Sequence, residues 1–367
     1  MSTWELFVAA GSGLRQAMID VYLSAEIVAK VNDISTWRVT LPTDTDAGRV
    51  FLSDTFARLE VVVDGVVWRS GPMVQLKREV DLDGDTLEIS GVDDTVWLAR
   101  RNAHPQPADA GRPPYTLQAN DVHTGDSAAV LAELVRVNAG PSAAVDRRVP
   151  GLAVPVPPAT GGLLTVSARW QNLLTLLQDT ARPLGLLFDV VDLSFRVYAS
   201  TNRGAIFSQG LETLGGWVMT AASATVNMAA VAGGGEGTAR IIREIFDRPS
   251  IATWGLAETF VDQRQTVDLA ELDKAGREAV AAGVKPVTVT FTPLDTEGQT
   301  FGRDWTLGDT VTVKAGDLTV VDQIREIHVT LGNTVTLVPS VGSATGDLAL
   351  FRKLATLDQR VRQLERI

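Results

Sequence analysis

Apolar and polar residues alternate with a period of two from about Ala17 to Ser90, the pattern of strands with one face in a core and one in water. Val61, Val63 and Val66 flank Asp64-Gly65, a pair suited to a tight hairpin whose central residues take positive φ. A second hairpin is predicted around Asp83-Gly84: Val74, Leu76, Val80 and Leu82 lead in, and Leu87 and Ile89 lead out. The alternation breaks at Arg78-Glu79, where a bulge or bend is expected. Closing such an antiparallel meander into a small barrel would hide its edges. Residues 1–105 are therefore read as a first β-barrel domain.

From His104 to Pro114 the chain is rich in proline and glycine, and 106–162 is expected to be linker and loops around one short helix. Asp126 or Ser127 can cap that helix, Val130, Leu131, Leu134 and Val135 form its apolar stripe, and Gly140-Pro141 ends it. The segment from Val149 to Gly162 has no period. Ser167 is the expected cap of a second helix, with Trp170, Leu173, Leu174 and Leu177 on one face and Pro183 as its stop. Strand-like runs start at Leu186 and Phe195 and meet around Asp192. A third helix is expected from Asp268, with Glu271 as its capping-box partner and Gly283 at its end. Helices beside short strands make 163–285 an α+β middle domain. Period two returns from Val287, with turns at Gly308, Gly316 and Gly332, so 286–343 reads as a second β-barrel domain. Its strand order and turn placement follow those of the first, which suggests internal duplication. The expected fold class is α+β, mostly β, with two related small antiparallel barrels flanking the middle domain.

Residues 344–367 carry the sharpest local pattern. Leu350, Leu354, Leu357, Val361 and Leu364 are spaced alternately by four and three, the repeat of a coiled coil. With Leu354 and Val361 at a, Lys353 and Arg360 fall at g, and Asp358 and Glu365 at the e positions that face them. Opposite charges in those pairs favour a parallel, in-register assembly. About three helical turns are marginal alone, so folded domains must supply most of the contact. Leucine at d leaves dimer and trimer both open.

Composition narrows the chemistry. The 367 residues are 45% hydrophobic, which suits folded domains, and their length suggests more than one. Lys and Arg total 33 against 44 Asp and Glu, giving a net charge of −11, a poor match to a phosphate backbone. No apolar run is long enough to span a membrane, and the first residues lack the basic stretch of a signal peptide, so a soluble protein is expected. Cysteine is absent, and His104, His123 and His328 are scattered outside any metal-binding spacing. The acids Asp81, Asp83, Asp85 and Glu88 resemble a calcium loop, but Gly84 stands fourth where an EF-hand needs its glycine sixth, so a hairpin turn is the simpler reading. Asp93 and Asp94 are adjacent, and on a strand they would face opposite ways. The glycine run at Gly233 lacks the Lys-Ser or Lys-Thr of a phosphate loop and is expected to be a flexible loop. Eight tryptophans are spread evenly along the chain, which favours core positions over a sugar-stacking platform. No catalytic residue, cofactor or metal is expected.

Several segments carry a family likeness. WRVTLPTDTDAGRVFLSDTFARLEVVVDGVVWRSGPM from Trp37 and LEISGVDDTVWLARRNAHP from Leu87 resemble the N-terminal barrel of tail hub proteins in long-tailed phages. ARIIREIFDRPSIATWGLAETFVDQR from Ala239 and FGRDWTLGDTVTV from Phe301 resemble their middle domain and second barrel. The resemblance implies a non-enzymatic homotrimeric hub at the distal tail tip, made in the host cytoplasm. In it, two barrels from each of three protomers form a ring that adapts a hexameric tail tube to a three-fold tip. Implied partners are further copies of the chain, the distal tail or tail-tube ring protein, a downstream tip or fibre protein and the tape-measure protein. Two other classes stay open: a host-surface carbohydrate-binding module, favoured if exposed tryptophans line one groove, and a cell-wall glycosidase or hydrolase, favoured only if two buried acids face each other across a cleft.

Overall fold

Alternation is converted into pairing almost throughout the computed structural model, which describes residues 2–11, 13–82, 84–109, 118–220, 222–283, 288–294, 296, 298–315, 318–332 and 334–342. The expected coiled coil at Leu350, Lys353, Leu354, Leu357, Asp358, Arg360, Val361, Leu364 and Glu365 lies outside the described residues, as does the turn residue Gly316. Strand predominates over helix, and two compact units are formed. The first takes in Met1–Ile206, Thr292–Val311 and Ile324–Pro339; the second takes in Phe207–Phe291, Thr312–Gln323 and the described residues from Ser340 on.

The first unit opens with β1 (Trp4–Ala9), β2 (Arg15–Met18), β3 (Ser24–Lys30), β4 (Thr36–Pro42), helix α1 (Asp46–Ser53), β5 (Arg58–Val63), β6 (Val66–Val80) and β7 (Asp85–Val92). Residues 326–331 of a late strand pair antiparallel with β3, so the sheet order is that strand, then β3-β4-β7-β6-β5-β1-β2. Asp64 and Gly65 both have positive φ, 49° and 80°, and Val63 pairs with Val66, as the Asp-Gly pair predicts. The bulge expected at Arg78-Glu79 is elsewhere. Arg78 and Glu79 pair regularly with Leu87 and Thr86, and the register shifts between Met73 and Gln75 instead. The cause is a change of partner: β6 pairs with β5 as far as Pro72 and with β7 from Met73. Leu87 and Ile89 are buried, whereas Val74, Val80 and Leu82 are exposed, so this ribbon covers a core on one strand only.

After the short helix α2 (Val96–Ala99), β8 (Asp121–Asp126) leads into α3 (Ser127–Asn138), and β9 (Leu163–Ala168) precedes α4 (Leu173–Ala181). Asp126 caps α3 by accepting from the Ala128 and Ala129 N–H groups. Ser167 caps nothing: it lies in β9, and Asn172 caps α4 by accepting from the Thr175 N–H. Between them Trp170 takes a left-handed φ of 59°, which turns the chain out of the strand and keeps this residue off the helix face. β10 (Leu186–Val191) and β11 (Ser194–Ala199) form the hairpin expected around Asp192. Phe188 and Val190 pack with Phe195 and Val197 against Leu131, Leu134, Leu173 and Leu177 of α3 and α4.

In the second unit, after β12 (Ile206–Ser208) and β13 (Leu214–Thr220), β14 (Met228–Ala232) is the centre of a three-stranded sheet. It pairs antiparallel with β15 (Ile242–Phe246) and, beyond α5 (Arg248–Trp254), parallel with β16 (Glu258–Asp262). Helix α6 (Leu269–Gly283) starts after Asp268 as predicted, with Asp268 accepting from the Ala270 N–H, but the Asp268 N–H donates to Thr266 Oγ1, which leaves Glu271 out of the expected capping box. A Cβ added at Gly276 would lie 2.4 Å from Ile245 Cγ1, so the glycine sets how close α6 lies to the sheet. The glycine run is a loop tied at several points: Gly233 donates to Ile241, Gly234 to Thr266, and Arg240 to the Gly233 carbonyl. The remaining strands are β17 (Thr288–Pro293), β18 (Thr310–Ala315), β19 (Leu318–Leu331) and β20 (Val335–Gly342), and β17 pairs antiparallel with β20.

Candidate functional site

Two hairpins of the first unit meet at a cavity of about 610 Å³. The β5–β6 hairpin supplies Val63, Val67, Trp68 and Arg69; β10–β11 supplies Asp189, Arg196 and Tyr198; Phe301 and Leu307 complete the wall. Strand geometry explains why three polar groups converge. Asp189 stands opposite Arg196 in the antiparallel register, and Tyr198 is two residues further on, so all three share the face away from the Phe188–Val197 core. Arg196 donates from Nε and Nη2 to the two Asp189 oxygens at 2.7 and 2.8 Å, a bidentate pair, and the Tyr198 hydroxyl donates to Oδ2 at 3.1 Å. Burial, together with the Asp189 charge, pushes the Tyr198 hydroxyl well above its usual range, so it remains a donor. Arg69 comes within 3.7 Å of the same carboxylate and lies over the Trp68 ring at 5.0 Å. It is only 5% exposed, and its Nε has no protein partner.

The tryptophans are not as dispersed as their spacing suggests. Trp4, Trp68 and Trp305 are brought together around Phe301: Trp4 stacks on it at 5.4 Å, and Trp68 and Trp305 meet it edge to face at 5.5 and 5.0 Å. Trp305 is core, whereas Trp68 and Phe301 reach the cavity.

A buried polar cluster behind the cavity holds the two hairpins together. Asp94 accepts from Arg58, from the Ser70 hydroxyl at 2.6 Å and from Trp97 Nε1 at 3.2 Å. Ser70 in turn accepts from the Asp192 N–H at 2.7 Å, in the β10–β11 turn. Asp93 and Asp94 lie past the end of β7 and not on a strand, and both are buried, each with its own partners. Burial drives the Asp93 carboxyl up to about 7, against the opposing pull of Ser35 and Arg69.

The other predicted features are accounted for locally. His104 is buried, accepts from the Gln106 N–H through Nδ1 and meets Trp170 edge-on; burial and then Arg147 hold it below the usual histidine range. His123 pairs with Asp121 and the exposed His328 with Glu326. In the calcium-like loop Asp85 is held by Arg78 and Thr43, which bring its carboxyl down to about 2. Among the described residues no three His, Asp or Glu side chains are grouped to hold a metal, and no helix is long and apolar enough to cross a membrane. The two acids lining the cavity are committed: Asp189 to Arg196 and Tyr198, and Asp64 to the Thr3 N–H and hydroxyl. The arrangement engages both acids and the phenol hydroxyl in hydrogen bonds within the protein. Its one signal in the sequence was a carboxylate inside the apolar run Leu186–Val191, with arginine seven residues later across a predicted turn.

Residues 5–339 match the family model described as Siphovirus ReqiPepy6 Gp37-like protein. The chain belongs to that family. No curated protein matches this Gp37-like sequence. Among solved structures it shares its fold with the 43 kDa tail protein of prophage MuSo2 from Shewanella oneidensis, at 13% identity and a TM-score of 0.59, over 93% of this chain and 98% of that one. A tail protein from Neisseria meningitidis MC58 is similar at 15% identity and a TM-score of 0.56, over 93% and 96% of the two chains. Prophage tail protein gp18 from Listeria monocytogenes EGD-e follows at 11% identity and a TM-score of 0.50, over 97% and 99%. The likeness to phage tail proteins expected from the quoted segments holds for family and fold.

Proposed function

We propose that this Gp37-like protein is a structural component of a phage tail, and within it a homotrimeric hub at the distal tip. The observation that carries the tail role is coverage: the fold is shared along nearly the whole of this chain and nearly the whole of the prophage MuSo2 tail protein. The finer hub role rests on sequence. The related meanders flanking the middle region would close as two barrels in each of three protomers, giving six barrels to face a hexameric tube. Leu350, Leu354, Leu357, Val361 and Leu364, with Lys353–Asp358 and Arg360–Glu365 across the seam, would hold three chains parallel and in register. The partners would be the tail-tube ring protein on one side and a tip or fibre protein on the other, with the tape-measure protein in the lumen. Light scattering of the full chain and of one truncated after Gly346 tests this. A trimeric mass that falls on truncation supports the hub. A full-length monomer that stays monomeric and unbound in the presence of the tube ring protein overturns it.

A further inference from the structure

The aromatic and charged cavity of the first unit has no task in a purely structural hub. Two guanidinium groups, Arg69 and Arg196, share the Asp189 carboxylate there. Asp64 also lines the cavity but is exposed and already bound to Thr3. Arg69 also interacts with the Asp93 carboxylate and donates from Nη1 to the Trp68 carbonyl, but its buried Nε is unbonded, an arrangement that costs free energy unless an acceptor arrives. Beside these groups stand the Trp68 and Phe301 rings and the walls of Val63, Val67 and Leu307.

Each feature selects part of one ligand. Guanidinium groups prefer a carboxylate, which they bind through parallel N–H donors. A phenol oxygen at the same place suits hydroxyl groups, which can donate to it. Aromatic faces suit a ring with an apolar face of C–H groups. A cavity of about 610 Å³ is within the range of small-ligand sites and larger than one sugar ring requires. We propose that the cavity between Trp68–Arg69 and Asp189–Tyr198 binds an acidic saccharide, a pyranose that carries a carboxylate. The carboxylate pairs with Arg196 and Arg69, a ring hydroxyl meets Tyr198, and the ring packs on Trp68. A tail-tip protein with such a site could hold an acidic surface glycan.

Calorimetric titration of the full-length protein tests this, with short oligosaccharides of glucuronate, galacturonate and N-acetylneuraminate, and with glucose and galactose oligomers of matched length. At least one acidic series should bind, and its neutral counterpart at least tenfold more weakly. Arg196→Gln and Trp68→Ala should each weaken binding tenfold or more. Arg196 is half exposed, so its variant should fold, and Arg196→Lys keeps a cation beside Asp189 should the glutamine variant prove unstable; it should bind more weakly than wild type because an ammonium has fewer N–H donors to share between Asp189 and a ligand. Equal binding of acidic and neutral sugars, no binding by any acidic series at millimolar concentration, or wild-type binding by Arg196→Gln overturns the proposal. Assembly is read by mass and this site by titration, so either reading can fail alone.

Discussion

Asp93 shows how much one burial can decide. Its carboxyl is 3% exposed and titrates near 7, whereas an unfolded aspartate titrates near 3.9. Between those values the folded chain keeps a proton that the unfolded chain releases, so this group's contribution is most favourable below about pH 4 and is lost as pH rises through about 7. The loss is at most about 4 kcal/mol, since each tenfold change in proton affinity is worth about 1.4 kcal/mol. Asp93→Asn should flatten that decline, and urea denaturation at pH 5 and pH 8 would show a smaller difference than in the wild type. Gly71 and Gly91 mark the opposite constraint, space. A Cβ at Gly71 would lie 2.1 Å from the Val92 carbonyl oxygen, and one at Gly91 2.2 Å from the Trp37 ring and 2.4 Å from the Pro72 oxygen. Backbone cannot move aside within a sheet, so Gly71→Ala and Gly91→Ala should each cost about 3 kcal/mol, read as a lower urea midpoint. Nothing in the alternation pattern marks either glycine, because the crowding atoms come from neighbouring strands: Val92 of β7 at Gly71, and Trp37 of β4 and Pro72 of β6 at Gly91.

At the scale of elements, caps and turns carry most of what can be read locally. The Asp126 carboxylate accepts from Ala128 and Ala129 at the start of α3 and also from the Thr160 N–H, 34 residues away. Asp126→Ala should therefore cost about 2 kcal/mol, the upper end for a cap, read as a lower melting temperature. The Asp64-Gly65 hairpin and the cap of α3 were legible because both depend on a few neighbouring residues. The start of α4 was not, since Ser167 has the chemistry of a cap but pairs with Val122 of β8, a partner outside its own segment. The bulge of β6 was misplaced for the same reason. It arises where the strand exchanges β5 for β7, a tertiary event, and not where the residue pattern falters.

Across the whole molecule, the long-range pairings are what the one-dimensional pattern leaves open. Strand β19 lies some 300 residues from β3 along the chain, yet Glu326–Leu331 pairs with Ala25–Lys30 in register. The proposed hub role places a fourth prediction at this scale: the full chain should be trimeric and the chain ending at Gly346 less so, since the heptad leucines all lie beyond that point. The candidate site belongs to this scale too. Its aromatic and charged residues come from three stretches of chain around Trp68, Asp189 and Phe301, each unremarkable alone. Alternation, turn pairs and capping side chains pointed to the strand-rich first and last stretches and to the starts of α3 and α6, because these are set by interactions among residues close in the chain, whereas the likeness to phage tail proteins came from the resemblance of whole segments. Only the tertiary structure decided which strands are neighbours, that Asp93 and Asp94 are buried, and that Trp4, Trp68 and Trp305 meet around Phe301. Those outcomes depend on which apolar faces and unpaired strand edges find each other, and that choice is made over distances that no local period records.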